Sequence, residues 1–388
     1  MHGLAVYTLL LMVAAVYGQI PPYNDSCVQV PYPPSKDRAV PAYIINLDLP
    51  PEQRWAQVAM EKRKEIGGII SEFKKFLLNF GDGKIFTIIE KLGDDLDNVL
   101  PSPYKEELRG MANFSGIMLG DLFTYNIFYE LFTVCTSIVS QDVNGKMYHV
   151  RNLDFGLFLG WDVKNRTWEL TEVLRPAIIN VDWQRDSQIV FRSVQYAGYI
   201  GVLTAVKKGV FTYSMNERFR LDGGYMGILE YIQDHKGSWM SLMARDTLET
   251  AKSFEEAFNT FSNTQLIAPG YFILGGTKPD QGVVITRNRE VNGTDVWPMT
   301  DKTAGGWYVL ETNYDHWKAP LFLDDRRGPA NKCMQHMGQE NVGFPGLFNV
   351  LSSKPVLNKL TTYAALMQVD SGTLETWLQY CPDPCEPF

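Results

Sequence analysis

The sequence predicts an α+β protein in which helices come first and sheet follows. Apolar residues recur at a helical period within the first 130 positions, whereas from Cys135 onward short β-branched and aromatic runs are separated by turn signals. The change falls within a few residues of LFTVCTSIVS (131–140). Taken in order, the chain opens on an apolar run from Leu4 to Val16 that ends in Val-Tyr-Gly. It reads as a signal peptide (1–18) cut after Gly18, although the usual basic residues ahead of it are missing. The run is shorter than the roughly 20 apolar residues a membrane span needs. PEQRWAQVAMEKRKEIGGIISEFKKFLLNF (51–80) opens on Pro-Glu and carries Trp55, Val58, Ala59, Ile66, Ile69, Ile70, Phe73 and Leu77 near a 3.6-residue period, which predicts a helix. GDGK (81–84) has part of a phosphate loop without the full motif and reads as a turn. Further helices are predicted over 84–92 and 104–129. Then come strand patterns: TSIVS, MYHVRNLDF, QIVFRS, YIGVLTAV, VFTYSM, YFILGG, GVVITRN and GWYVLET, with turns at Asn144-Gly145, Lys208-Gly209 and Pro279-Asp280. Met240 to Phe261 is expected to be a helix packed on those strands.

Composition is that of a folded protein: 388 residues, 45% hydrophobic and 13% aromatic, enough for a large core in one or two domains. A net charge of -8 and the lack of a basic run argue against nucleic acid. At pH 4.5 reference pKa values would take that charge to roughly +10, which makes an anionic membrane surface an expected partner in acid. Asn24, Asn113, Asn165 and Asn292 begin N-x-S/T sequons, as in a secretory glycoprotein. In that oxidising setting the five cysteines (27, 135, 333, 381 and 385) cannot all pair within the chain.

Asn144-Gly145 favours a two-residue hairpin loop. That register sets Cys135 opposite Asp154 on one face, with Cβ atoms roughly 4.5–5.5 Å apart, and sends Arg151 to the other face unless a bulge intervenes. Cys135 itself admits three readings: a buried core thiol, a disulfide partner, or a nucleophile. A papain-like site does not fit, because Cys135 lies in a strand pattern and none of the histidines (2, 149, 235, 316, 336) shows a partnership with it; His149 reads as structural. Another arrangement needs no histidine. If the Val134–Cys135 peptide bond is broken, the freed α-amine can serve as base for its own thiol.

CTSIVS, RNLDFG, NER, ETNYDHW and DDRR, in that order, resemble the N-terminal-nucleophile cysteine hydrolases, in the branch of acid ceramidases and N-acylethanolamine acid amidases, and the likeness runs over almost the whole chain after the signal peptide. The resemblance implies an αββα four-layer sandwich with an N-terminal helical subunit: a helical α-subunit (19–134) and a catalytic β-subunit (135–388) made by autocatalytic cleavage between Val134 and Cys135. Cys135 is then the nucleophile, Asp154 holds the new α-amine, Arg151 is an active-site arginine and Asn313 the oxyanion-hole asparagine. Glu217 and Arg326 are further contributors. Without the resemblance, Asp324 to Arg327 would read as a solvated charge cluster and Asn313 as a turn residue. It also implies disulfides Cys27–Cys333 and Cys381–Cys385. DFGLFLGW, INLDLPP and CPDPC resemble the ceramidases, GVVITRNRE and VWPM the amidases. The expected reaction is therefore hydrolysis of ceramide to sphingosine and free fatty acid in the lysosome lumen, with secretion as well and a saposin-type activator as a partner. Fatty N-acylethanolamine hydrolysis, or a non-catalytic lipid carrier of the same fold, is the alternative. No cofactor is expected, nor a metal, since no histidine or cysteine cluster has ligand spacing.

Overall fold

The computed structural model describes residues 27–79, 99–128, 133–155, 160–218, 236–301 and 305–385. The signal peptide, Asn24, the 81–84 turn and the 84–92 helix lie outside the described residues.

Ahead of the central hairpin come strand β1 (Ala42–Asn46) and helices α1 (Ala56–Glu61), α2 (Arg63–Asn79), α3 (Tyr104–Ser115) and α4 (Leu119–Phe128). The hairpin is β2 (Thr133–Gln141) and β3 (Met147–Phe155). A small ribbon of β4 (Trp161–Asp162) and β5 (Thr167–Trp168) leads to α5 (Glu169–Leu174). Four strands follow, β6 (Ile178–Arg185), β7 (Gln188–Tyr196), β8 (Thr204–Lys207) and β9 (Phe211–Glu217), then α6 (Met240–Thr250) and α7 (Phe254–Asn263). The chain continues through β10 (Gly270–Gly275), β11 (Gly282–Arg287), β12 (Asp295–Pro298) and β13 (Tyr308–Glu311) to α8 (Arg327–Met337) and α9 (Phe344–Ser352), and closes on β14 (Thr361–Gln368) and β15 (Thr373–Leu378).

These strands form an eight-stranded sheet, β1-β6-β7-β8-β9-β10-β11-β12, and a five-stranded sheet, β13-β2-β3-β14-β15. The sheets pack face to face through β2 and β3 against β9 and β10. Helices α6 and α7 lie on the outside of the larger sheet, α8 and α9 on the outside of the smaller one. The result is an αββα sandwich. Covered on both sides, its central strands have no wet face, so β14 is buried at every position and reads in sequence as an unbroken run rather than an alternation.

The N-terminal part is not wholly helical. Ala42–Asn46 alternates buried Tyr43 and Ile45 with exposed neighbours and pairs in parallel with β6, so one strand of the larger sheet comes from before Cys135. The helix expected over 104–129 is two helices, because Gly116 takes a left-handed conformation (φ 67°) that ends the first. The helix expected over 240–261 is also two: Ser253 caps the second by accepting the Glu256 N–H, and the Glu256 carboxylate reaches back to the Lys252 N–H. The helix expected over 51–80 is interrupted at Lys62.

Three devices join the N-terminal part to the rest. One is the β1–β6 pairing. The second is the Cys27–Cys333 disulfide, with Cys381–Cys385 closing a small loop near the C-terminus. The third is a buried charge cluster: Glu107 on α3 receives both terminal nitrogens of Arg245 on α6 at 2.6 Å each, Arg54 at 2.9 Å and the Trp55 indole N–H at 2.7 Å. Glu107 and Arg245 are both fully excluded from solvent.

Candidate active site

The β2–β3 hairpin differs from the two-residue loop that Asn144-Gly145 favours. Asp142 Oδ1 accepts the N–H groups of Asn144 and Lys146, the Asp142 N–H bonds to the Lys146 carbonyl, and Gly145 sits at φ 77°. The loop therefore has three residues, with glycine in the left-handed position that such loops require. One extra residue shifts the register by one, and a one-residue shift moves every side chain to the other face. Cys135 pairs with Leu153, and Asp154 with Val134. Contrary to the sequence expectation, it is Arg151 that shares the thiol's face and Asp154 that lies on the opposite one.

Between the sheets, Arg151 Nη2 donates to Cys135 Sγ and to the Met215 carbonyl at 3.0 Å, and Nη1 to the Leu203 carbonyl and the Thr204 hydroxyl, each at 2.8 Å. Both residues are wholly buried. Burial pushes the Cys135 thiol up, Arg151 and Arg326 pull it down, and Asp154 pushes it up again. The balance keeps this thiol protonated in the intact chain, while the adjacent guanidinium is placed to stabilise a thiolate once the site changes.

On the helix-covered face, Asp154 Oδ2 meets Arg326 Nη1 and Asn358 Nδ2 at 3.4 Å each. Burial pushes its carboxyl up to about 6 against the pull of Arg326. Arg326, expected from the charge run to be solvated, is buried at 1% exposure, because both its ends have partners across the fold. Nε and Nη2 clasp Asp324 at 2.8 and 3.2 Å, Nη1 donates to the Cys135 carbonyl at 2.7 Å, and Nη2 reaches the Thr312 carbonyl and Asn313 Oδ1.

Asn313 joins the two faces. The β13–β2 register, continued two residues past the Glu311–Ser137 pair, brings it opposite Cys135. Its Oδ1 accepts the Cys135 backbone N–H at 2.7 Å, and its Nδ2 donates to the Glu217 carbonyl at 2.7 Å. The structure thus gathers Cys135, Arg151, Asp154, Asn313 and Arg326, and adds Glu217 through its main chain. The nitrogen of Cys135, which becomes an amine if the preceding bond is cut, donates to Asn313 Oδ1, and the carbonyl of the same residue accepts from Arg326, which in turn meets Asp154. His149 stands apart, bonded through both ring nitrogens to Thr212 and Ser214 and pushed down to about 3 by burial and then by Arg151, so it is neutral. Asn113, Asn165 and Asn292 are exposed. Sequence reasoning does not single out Asp324, Asn358, Thr204 or Glu311. Asp324 lies within the DDRR run and Glu311 opens ETNYDHW, so both stand inside quoted motifs, whereas Thr204 and Asn358 carry no local signal.

The family model for linear amide C–N hydrolases of the choloylglycine hydrolase family matches residues 135–377, beginning at Cys135. A model for the beta subunit of N-acylethanolamine-hydrolyzing acid amidase matches residues 38–100. Acid ceramidase of Heterocephalus glaber is 46% identical over 394 residues and that of Homo sapiens 46% over 395, each covering 99% of this chain and 99% of the relative. Among solved structures, a Caenorhabditis elegans N-acylethanolamine-hydrolyzing acid amidase ortholog superposes with a TM-score of 0.52 at 32% identity, covering 63% of this chain and 100% of that one.

Proposed function

We propose that this chain, which belongs to the choloylglycine hydrolase family of linear amide C–N hydrolases, hydrolyses the amide bond of ceramide with Cys135 as its nucleophile. The observation that carries the nucleophile is the surroundings of one residue: the Cys135 thiol on a guanidinium, its nitrogen on an asparagine amide and its carbonyl on a second guanidinium. Full-length similarity to acid ceramidases carries the substrate.

In the intact chain the thiol is sealed and its nitrogen is an amide, which is not a base. Cleavage between Val134 and Cys135 supplies an α-amine, which titrates near pH 8 in the open. Asp154 lies across the strand pair from the scissile bond and holds that amine as an electrostatic anchor. The amine takes the thiol proton as sulfur attacks the carbonyl carbon of the N-acyl sphingoid base. Negative charge gathers on the carbonyl oxygen, and the Asn313 amide and Arg151 face it. Collapse breaks the C–N bond, and the amine's proton goes to the departing sphingosine nitrogen. Water then hydrolyses the acyl thioester and releases the fatty acid.

The N-terminal piece, 19–134 after removal of 1–18, stays on the catalytic piece as an α/β heterodimer through β1, the Cys27–Cys333 bridge and the Glu107–Arg245 pair. The protein works in the lysosome lumen and is also secreted. There it meets an anionic membrane surface, with a saposin-type activator to present the lipid, and sequons Asn24, Asn113, Asn165 and Asn292 carry the glycans.

Intact mass and N-terminal sequencing after acidification, together with turnover of ceramide and of an N-acylethanolamine, test this. Two chains should appear, one beginning at Cys135, that part only on reduction, and ceramide should be the better substrate. Full activity in an uncleaved chain would refute the α-amine, and a preference for the ethanolamide would reassign the substrate. A reactive acyl analogue that leaves Cys135 unmodified would point to a carrier.

A further inference from the structure

The turn after β13 holds Asn313 at φ 73°, a left-handed conformation that is uncommon outside glycine but that asparagine adopts more readily than most residues. Glu311, two residues upstream and fully buried, sits on the inside of this turn. Its Oε1 accepts the backbone N–H of Tyr314 at 2.9 Å, and the Asn313 N–H pulls on the same carboxyl. The Glu311 carbonyl is in turn gripped by Asn216 Nδ2 at 3.1 Å, and Asn216 Oδ1 takes the Ser137 hydroxyl at 2.8 Å. The anchor of the turn therefore reaches back into β2, the strand that carries the nucleophile. On the far side of the turn, Arg218 clasps Asp315 with two bonds of 2.7 and 3.0 Å.

We infer that Glu311 is a positioning residue: its buried carboxyl folds the turn that aims the Asn313 amide at Cys135, and it affects catalysis only through Asn313. The inference rests on the role given to Asn313 above. A neutral acceptor is enough for this task. Burial pushes the Glu311 carboxyl up to about 8, Asp315 adds to the push, and Arg327 and the two N–H groups pull the other way, so in acid the group is uncharged. Its Oε2 has no hydrogen-bond partner among the described residues, which leaves Oε1 as the working atom.

The test is a cycle of Glu311→Gln, Glu311→Met, Asn313→Ala and the Glu311→Met/Asn313→Ala double variant, with kcat, KM, melting temperature and the rate of Cys135 acylation by a reactive acyl analogue. Methionine fills the space without an acceptor. Glu311→Met should lower kcat by up to about 100-fold, the scale of a displaced reacting group, with KM held and a native melting transition. Glutamine, which keeps the acceptor, should restore turnover. The double variant should be no slower than Asn313→Ala, since a residue acting through another adds nothing once that one is gone. Wild-type turnover in Glu311→Met, equal damage from Gln and Met, or multiplying losses in the double variant would each overturn the inference. Acylation rates keep the cycle legible on any amide or ester donor, so a wild-type chain that ignored ceramide would count against the substrate reading alone. Should Glu311→Met not fold, Glu311→Gln decides: turnover near wild type supports the acceptor role, and a loss matching Asn313→Ala refutes it.

Discussion

Raising the pH should destabilise the folded chain at Glu311, and Glu311→Gln should abolish that loss. The ordinary value of this carboxyl is 4.5, and burial pushes it up to about 8 in the fold. Between those values the folded chain keeps a proton that the unfolded chain has already released. Stability is therefore complete below pH 4.5 and falls as pH rises towards 8, where the native carboxyl must ionise without water. At about 1.4 kcal/mol for each pH unit between the two values, the loss across the window is on the order of 5 kcal/mol. Glutamine has no proton to lose. The assay is urea unfolding of the Cys135→Ala chain, which stays in one piece, with Glu or Gln at position 311, across a pH series spanning this window. Asp154, pushed up to about 6, acts with the same sign in both chains and cancels from the comparison. The two chains should match near pH 4.5, and the Gln chain should be more stable by several kcal/mol at pH 8. A difference that stays constant across the series would refute the argument, because it would leave Glu311 with the same proton affinity folded and unfolded.

Three further outcomes follow from the site and its supports. Asp154→Asn should slow both self-cleavage and turnover while leaving far-UV circular dichroism unchanged, since it removes an electrostatic anchor and little packing; normal maturation would strip Asp154 of its role. Glu107→Leu removes the bidentate partner of buried Arg245 and leaves it with Glu249, 3.2 Å from Nε, which should cost up to about 3–5 kcal/mol in unfolding free energy; a cost below about 1 kcal/mol would show that the cluster does not hold the two parts together. The Cys135→Ala chain should sediment with anionic liposomes at pH 4.5 but not at 7, and less as salt shortens the Debye length from about 10 Å towards 3 Å. Equal binding to neutral liposomes would rule out charge reversal as the recruiting force.

The helix-to-sheet transition at Cys135 is legible because it is a change of period, which sequence displays directly. The hairpin register is not. Asn144-Gly145 carries a strong local preference, but the Asp142 carboxylate captures two N–H groups and lengthens the loop by one, and that single step moves Asp154 away from the thiol and brings Arg151 to it. β1 is hidden because five residues after a proline-rich stretch hold too few alternations to count, and its pairing partner lies over 130 positions away. Arg326 shows the same limit. A charge run in sequence looks solvated until the fold supplies Asp154, Asp324 and three backbone carbonyl or amide oxygens to bury it. The site's membership is readable only as a set of motifs, whereas its geometry depends on pairings between distant segments.

The paired positions Val134 and Asp154 bear on what happens to the severed strand. A cut after Val134 creates a new α-carboxylate on the residue paired with Asp154, on the strand directly beside it. Two negative charges that close, away from water, repel strongly, so either one proton stays between them or the loose end departs. Only Thr133 and Val134 of β2 precede the cut, so departure breaks little of the ladder. Acid lets the shared proton stay and neutrality drives it off, which would make the scission progressively harder to reverse as the pH rises. Hydrogen exchange at Asp154, the strand partner that the departing Val134 uncovers, would report that loss of cover, with the Phe155 N–H, held by the Leu360 carbonyl at 3.0 Å, as an internal reference that should not change.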